Sequence, residues 1–574
     1  MWQSLKTKLL VNQSIFALAI LIGICLRLFS FGQIPVGTYW DETAILIDAT
    51  SIATTGRDMH GNHWLQALYP SYGDYKLPVY IWLASIAVKV VGTNELAVRL
   101  PSLIVGLATI ILAAALAGEL AKYWPKQLRQ TFQLAAASVV SLSFWAIMFS
   151  RIGFEGHLGQ LWLGLSFLSL LKSKAKFLWW PIAGIFGALA LFTYYSTRFI
   201  WPALWLLFII PVIISILTEP NKRRQLFLGQ IVPAFSSLLI FGGFLLLMVR
   251  SPLYPASEIF RLSSDSILNQ APFVAQSNLS QLIEGPSGIG RIVLHRYVFQ
   301  IKALASHVAS HLSLDYLFFT GDDNLRHGTG FHGLFPMLFA PVLLIGIIGL
   351  FKHHKKVFVF LLFWWLTSLL PASVPYDVPH ALRSLNSLLP ISLFIAYGVT
   401  TLYLATTKNI ALLFKIISFG VLIESIAFAY YYFTVYPITS AAEWQSGYQQ
   451  LAQHAIDHRD AVNQFWINAG DGRIYLWLLA DGAVKPQDLS SLAWKGYQLD
   501  QIENILFTDF VYTYEGFPNT PFALAGRRKE IISNLAILKA TPQLVVPILD
   551  KNNQEQFVVT YFNLSKDKLK DVSE

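Results

Sequence analysis

Apolar runs about as long as a bilayer-crossing helix, roughly 20 residues, recur from residue 13 to residue 432 and then give way to a mixed pattern. They fall at about 13–33, 97–119, 132–150, 157–171, 177–195, 199–217, 226–249, 334–350, 357–373, 385–404 and 409–432. The pattern predicts a polytopic α-helical membrane protein with about 11 transmembrane helices. The run 13–33 has the length of a signal peptide, but no small-residue cleavage pattern follows it and Arg27 lies near its outer end, so it is expected to be a retained helix. A shorter run at 77–92, LPVYIWLASIAVKVVG, carries Lys89.

Loop charge orients these runs. Lys122, Lys126 and Arg129 share one connection, Lys172, Lys174 and Lys176 another, Lys222, Arg223 and Arg224 a third, and Lys352, Lys355 and Lys356 a fourth. Clusters of this kind collect on the cytoplasmic side, which also puts the amino terminus, with Lys6 and Lys8, inside. The assignment needs an odd number of crossings between residues 76 and 122. The simplest solution is one crossing at 97–119, with 77–92 as a non-spanning helix. Two external loops follow, 34–76 and 250–333, the second broken by Pro252, Pro255, Gly285, Gly288 and Gly290. The expected domains are a transmembrane part, 1–435, and a small external α/β soluble domain, 436–574. In the latter, strand-like FWIN (465–468), ILFTDFVY (505–512) and FVVTYF (557–562) alternate with helical patterns such as 443–457.

Composition narrows the class. Hydrophobic residues make up 55% of the chain and charged ones 13%, with a mean hydropathy of +0.51, whereas soluble domains carry about 25% charged residues. The net charge of +9 sits in loop clusters rather than on one face, so no nucleic-acid partner is expected. The single cysteine, Cys25, excludes an intramolecular disulfide and any multi-cysteine metal site.

Candidate chemistry gathers on the predicted outer face. GTYWDE places Asp41 and Glu42 just after the first run. Capping of the following helix is one reading; a carboxylate at the membrane boundary, poised to take a proton from an attacking hydroxyl, is the other. The same loop ends in SYGDYKLPVYIW, with Tyr75 and Lys76. Lys76 is either an interfacial lysine or a charge for a lipid phosphate. Further outer connections carry SRIGFEGH (150–157), YYSTR (194–198), GDDNLRHG (321–328) and VPHALRS (378–384). Arg198, Arg326 and Arg383 could meet a phosphate or pair with Glu155, Asp322 or Asp377; Arg151 leans structural. His157, His327, His332 and His380 lack metal-site spacing, so no metal site is expected and hydrogen bonding is; a divalent-metal requirement is left open.

The run Trp40–Arg99 resembles the first external loop of the membrane-integral GT-C glycosyltransferases, and looks most like the branch of protein O-mannosyltransferases and the lipid A aminoarabinose transferase. The matching residues are Asp41 and Glu42, then DYKLP with Lys76 and Pro78, then AVRLPS with Arg99. Later matches are Gly321, Asp322, Arg326, His327, His380 and Arg383. The acidic residue expected directly before the lysine is displaced to Asp74, and Val79 replaces a second proline. The resemblance covers about residues 10–430 and leaves the carboxyl-terminal segment unmatched. It implies an inverting transfer of a mannose-like or related sugar from a polyprenyl-phosphate donor to a protein, lipid or glycan acceptor. Asp41 would be the base, assisted by Glu42. Lys76, Arg99, Arg198 and Arg383 would bind the donor phosphate. Tyr75, Glu155, Asp322, Arg326, His327 and His380 would contact substrate. No cofactor is required, and the setting is a bacterial plasma membrane. A lipid or oligosaccharide flippase and a non-catalytic membrane scaffold are the alternatives; neither related halves nor helices broken at the midplane favour the former.

Overall fold

The computed structural model describes residues 2–219, 221, 223–262, 266–285, 288–468, 473–508, 519–538 and 540–573. The side chains of Lys6 and Lys8, and residues 509–512 of the strand expected at 505–512, lie outside what is described.

Each of the eleven apolar runs overlaps a helix, although 13–33, 177–195 and 334–350 extend beyond theirs. Among the described residues, six helices are long and apolar enough to cross a membrane: Glu95–Leu120, Thr197–Thr218, Arg223–Val249, Lys355–Ala372, Leu385–Tyr403 and Lys408–Thr434. Ser14–Leu28, Trp179–Leu191 and Phe339–His353 are apolar but shorter. The run 132–150 divides at Ser143, whose hydroxyl accepts the Ala146 N–H and starts a new helix, Phe144–Phe149. The helix at 78–91 has 14 residues, about 21 Å at 1.5 Å per residue, short of the ~30 Å hydrocarbon core.

By contact the chain forms two compact units, Met1–Phe29 with Ser102–Tyr431, and Ser30–Pro101 with Tyr432–Glu574. The first loop thus clusters with the carboxyl-terminal segment.

In the first unit, protein covers only 22% of the apolar window of Arg223–Val249 and 17% of that of Lys408–Thr434. Leu217, Ile111 and Phe419 stand exposed. Each such side chain in water forgoes about 1.5–3 kcal/mol of burial, so faces of this kind belong in lipid. This is a multi-pass membrane protein. Its buried charges are answered: Arg27 donates to the Gly23, Ser141 and Val140 carbonyls and to Ser150 Oγ. Arg151 donates to the carbonyls of Leu26, Arg27 and Phe29, the structural role expected of it.

The second unit contains a short hairpin, β1 (Tyr69–Pro70) and β2 (Tyr75–Lys76), and a six-stranded sheet. The sheet's strands are β3 (Gln464–Asn468), β4 (Gln501–Ile502), β5 (Ile505–Thr508), β6 (Phe522–Gly526), β7 (Leu544–Leu549) and β8 (Glu555–Phe562), in the order β4-β5-β3-β6-β8-β7. β3 runs parallel to both β5 and β6, and the other pairings are antiparallel. Pro547 is tolerated because β7 is an edge strand. Alternation sends Phe465, Ile467, Val559 and Tyr561 to one face and Trp466, Phe522, Leu524 and Phe562 to the other. The first face shares its core with Ala44 and Ile47 of the helix Trp40–Thr55 and with Met59 and Tyr72. Hydrogen bonds fix the association: Trp40 N–H to Gln445 Oε1, Trp477 Nε1–H to Thr38 Oγ1, and Gln498 Nε2–H to the Tyr72 carbonyl. Lys551 also pairs with Glu95 at 2.5 Å.

Candidate active site

Asp41 and Glu42 occupy the first turn of the helix Trp40–Thr55, where negative charge meets the positive end of the helix dipole. The cap position is Tyr39, in extended conformation and with no side-chain cap, so Asp41 does not cap this helix. Successive helical residues point about 100° apart. The two carboxylates therefore reach different partners.

Glu42 points inward. Both its oxygens take a hydrogen bond from Arg99, from Nε at 3.0 Å and Nη2 at 2.8 Å, and both residues are fully buried. Arg99 gives its remaining hydrogens to the carbonyls of Gly32 (3.1 Å), Pro35 (3.0 Å) and Gly37 (2.5 Å). A guanidinium has five N–H donors, and all five are committed. The phosphate-binding role expected of Arg99 thus has no donor to carry it. Glu42, sealed and bidentately paired, has no open oxygen for a substrate proton. The pair anchors the turn 32–37 under the helix.

Asp41 points to a more open place, with 23% of its side chain exposed. It accepts hydrogen bonds from the Tyr72 hydroxyl and from Lys76 Nζ. The hairpin β1–β2 delivers both donors. Gly73, at φ 92°, supplies the left-handed residue of its turn, and Pro78 starts the next helix two residues after Lys76. Lys76 is 6% exposed and lies 3.2 Å from the Tyr72 oxygen and 3.4 Å from Asp74 Oδ2. Asp74, displaced in sequence, thus flanks the lysine in space. Burial, then the Asp41 charge, pushes the Tyr72 hydroxyl well above the ordinary phenol value, so it stays a neutral donor. Tyr75 packs edge-on to Tyr497, with centroids 6.5 Å apart.

Two members of this cluster had no sequence signal. Tyr72 is one tyrosine among 24. Arg473 comes from the segment the motif resemblance leaves unmatched, and its guanidinium lies 3.9 Å above the Trp40 ring and 4.6 Å above the Tyr72 ring. A guanidinium over two aromatic faces is held in place by cation–π attraction while its edge N–H groups stay oriented for an anion.

The other candidates belong to the first unit. Arg198 is held by Glu258, at 2.5 and 3.0 Å, a bidentate bridge to a carboxylate outside those weighed in the sequence. Arg383 donates to the Asp377 carbonyl at 2.9 Å. Arg326 Nε donates to Asn324 Oδ1, and Glu155 opens the helix Glu155–Ser173. His157 bonds the Phe149 carbonyl and His332 bonds Thr329, the roles expected. Asp322 and His327 of one loop and His380, more than 50 residues further on, come together with one potential ligand atom each within 4.8 Å of the others. Burial alone would raise the Asp322 carboxyl. The His327 imidazole beside it and the N–H groups of Ala381 and Asn324 outweigh that and hold it below the usual range. The loop is tight at both ends: Gly321 sits at φ 83°, and a Cβ at Gly328 would meet the Asp322 carbonyl oxygen at 2.6 Å.

No protein-family model matches the sequence, and no curated protein matches it. Among solved structures the chain is similar to ArnT from Cupriavidus metallidurans in the apo state, at 12% identity over 97% of this chain and 98% of that one, with a TM-score of 0.48. ArnT bound to undecaprenyl phosphate gives 12% identity over the same shares and 0.46. The archaeal oligosaccharyltransferase AglB from Archaeoglobus fulgidus, in complex with an inhibitory peptide and a dolichol-phosphate, gives 13% identity and 0.48 over 82% of this chain. This chain spans 64% of AglB.

Proposed function

We propose that the chain is an inverting glycosyltransferase that moves a sugar from a polyprenyl-phosphate donor to a hydroxyl-bearing acceptor at the external membrane face. The observation that carries it is the cluster of Asp41, Lys76, Tyr72 and Arg473: one half-open carboxylate with an ammonium beside it and a guanidinium close by. The acceptor oxygen attacks the anomeric carbon and the bond from that carbon to the phosphate oxygen breaks. The acceptor proton passes to Asp41, and polyprenyl phosphate leaves with one more negative charge, met by Lys76 and Arg473. Lys76 links the two halves of the step. As its charge turns from Asp41 toward the departing phosphate, the carboxylate is released from its ion pair to hold the acceptor proton. A lipid-linked donor suits an outer face, where nucleotide sugars are absent.

In this scheme about eleven helices cross the bacterial plasma membrane, with the amino terminus inside and residues 436–574 outside. The sugar is mannose-like or related, and the acceptor a protein, lipid or glycan. Purified protein incubated with a panel of labelled polyprenyl-phosphate hexoses and pentoses, and with each acceptor class, tests it. Transfer with inversion and release of polyprenyl phosphate is the expected result. Movement of an intact donor across vesicles, with no bond cleaved, would make the chain a flippase instead.

A further inference from the structure

We infer that Asp322, His327 and His380 form a binding site for a divalent transition-metal ion of the zinc class, with three protein ligands and one position left open. The donor set is a carboxylate and two imidazoles, each among the usual zinc ligands. All three residues are buried. Asp322 Oδ2 and His327 Nδ1 are 3.6 Å apart. Two ligands at about 2.1 Å from a tetrahedral ion stand about 3.4 Å apart, so this edge of the site already has its length. The same separation is too long for a hydrogen bond. His327 Nδ1 has no hydrogen-bond partner among the described residues although His327 is only 6% exposed, and a buried nitrogen of this kind needs an explanation.

His380 completes the set. Its ring centroid is 4.4 Å from that of His327, and it is buried together with Asp322 and His327. A neutral imidazole has the lone pair that a metal requires. Its present contacts are loose: Arg383 N–H to Nδ1 at 3.4 Å and Asp377 Oδ2 at 3.6 Å from Nε2. The ring can therefore turn by the roughly 1.4 Å that separates 4.8 Å from a tetrahedral edge, leaving Asp377 to receive its outward N–H, as carboxylates behind a metal-bound imidazole do. Asp322 is fixed from behind by Ala381 N–H at 2.7 Å and Asn324 N–H at 2.9 Å. A bound ion would tie the loop around 322–327 to the loop around 380. A divalent ion held by one carboxylate and two imidazole lone pairs keeps a net positive charge, favouring an anionic oxygen in the fourth position.

The full-length protein in detergent, stripped with a chelator and titrated with Co²⁺ alone, tests this. One Co²⁺ per chain should bind with the visible absorption of a tetrahedral site, and Zn²⁺ should displace it. His327→Ala and His380→Ala should each weaken Co²⁺ binding by about 100-fold or more, since loss of even a group that only hydrogen-bonds a ligand costs about 10–100-fold. His332→Ala should leave binding unchanged. Where an alanine variant fails to fold, His327→Gln or His380→Gln, which keep a polar side chain in place, are read instead. Absence of stoichiometric Co²⁺, or binding that survives substitution at both histidines, would overturn the inference and leave the three as a hydrogen-bonded cluster.

Discussion

Asp41 and Glu42 are neighbours in the chain, carry the same charge and each meet a cation, yet they occupy opposite environments. The Glu42–Arg99 pair is fully buried with every guanidinium hydrogen spent on protein. The Asp41–Lys76 pair is partly open, with a second carboxylate, a phenol and a stacked arginine around it. A closed pair can only hold structure, because neither member can exchange its partner without stranding a buried charge. A half-open pair can trade partners with a substrate. One step of 100° along a helix separates the two roles.

The largest effect is expected at the closed pair. Arg99→Ala should cost about 3–5 kcal/mol of stability, the scale for leaving a buried charge alone, and Arg99→Lys should rescue little because one ammonium cannot reach five acceptors. Thermal unfolding of the purified variants checks this; wild-type stability in Arg99→Ala would show that the pair does not anchor the turn. Next comes Lys76→Ala. It should fold, and it should lower kcat by roughly 10²-fold through loss of leaving-group stabilisation, as read by single-turnover transfer. A variant that unfolds instead would place Lys76 with Arg99 as a structural cation. The smallest effect is expected for Arg473→Gln. A phosphate contact removed from this half-buried, stacked guanidinium should raise the donor KM several-fold and change kcat less.

How far the sequence anticipates this follows from which forces are local. Apolar runs report lipid-facing helices directly, and strands such as 465–468 and 557–562 follow from β-branched and aromatic alternation. Asp41 and Lys76 are legible because both lie in one short loop with a recognisable order. The association of 30–101 with 432–574 is not legible, since it rests on contacts such as Trp477 with Thr38 that join residues more than 400 positions apart. Arg473 escapes for the same reason. The sorting of Arg99 from Lys76 depends on where each guanidinium or ammonium hydrogen goes, and composition carries no such count. His327 and His380 show no metal spacing because the chain that brings them together passes through two apolar helices, Phe339–His353 and Lys355–Ala372.

The central claim is that Asp41, not Glu42, takes the acceptor proton. Asp41→Asn keeps the size and most of the hydrogen bonding of the side chain and removes the basic carboxylate. Measured as single-turnover transfer from a polyprenyl-phosphate sugar, with donor binding followed in parallel, the variant should lose roughly 10²-fold or more in rate. It should still bind donor and unfold at close to the wild-type temperature. A well-folded Asp41→Asn protein that turns over at close to the wild-type rate would contradict the account.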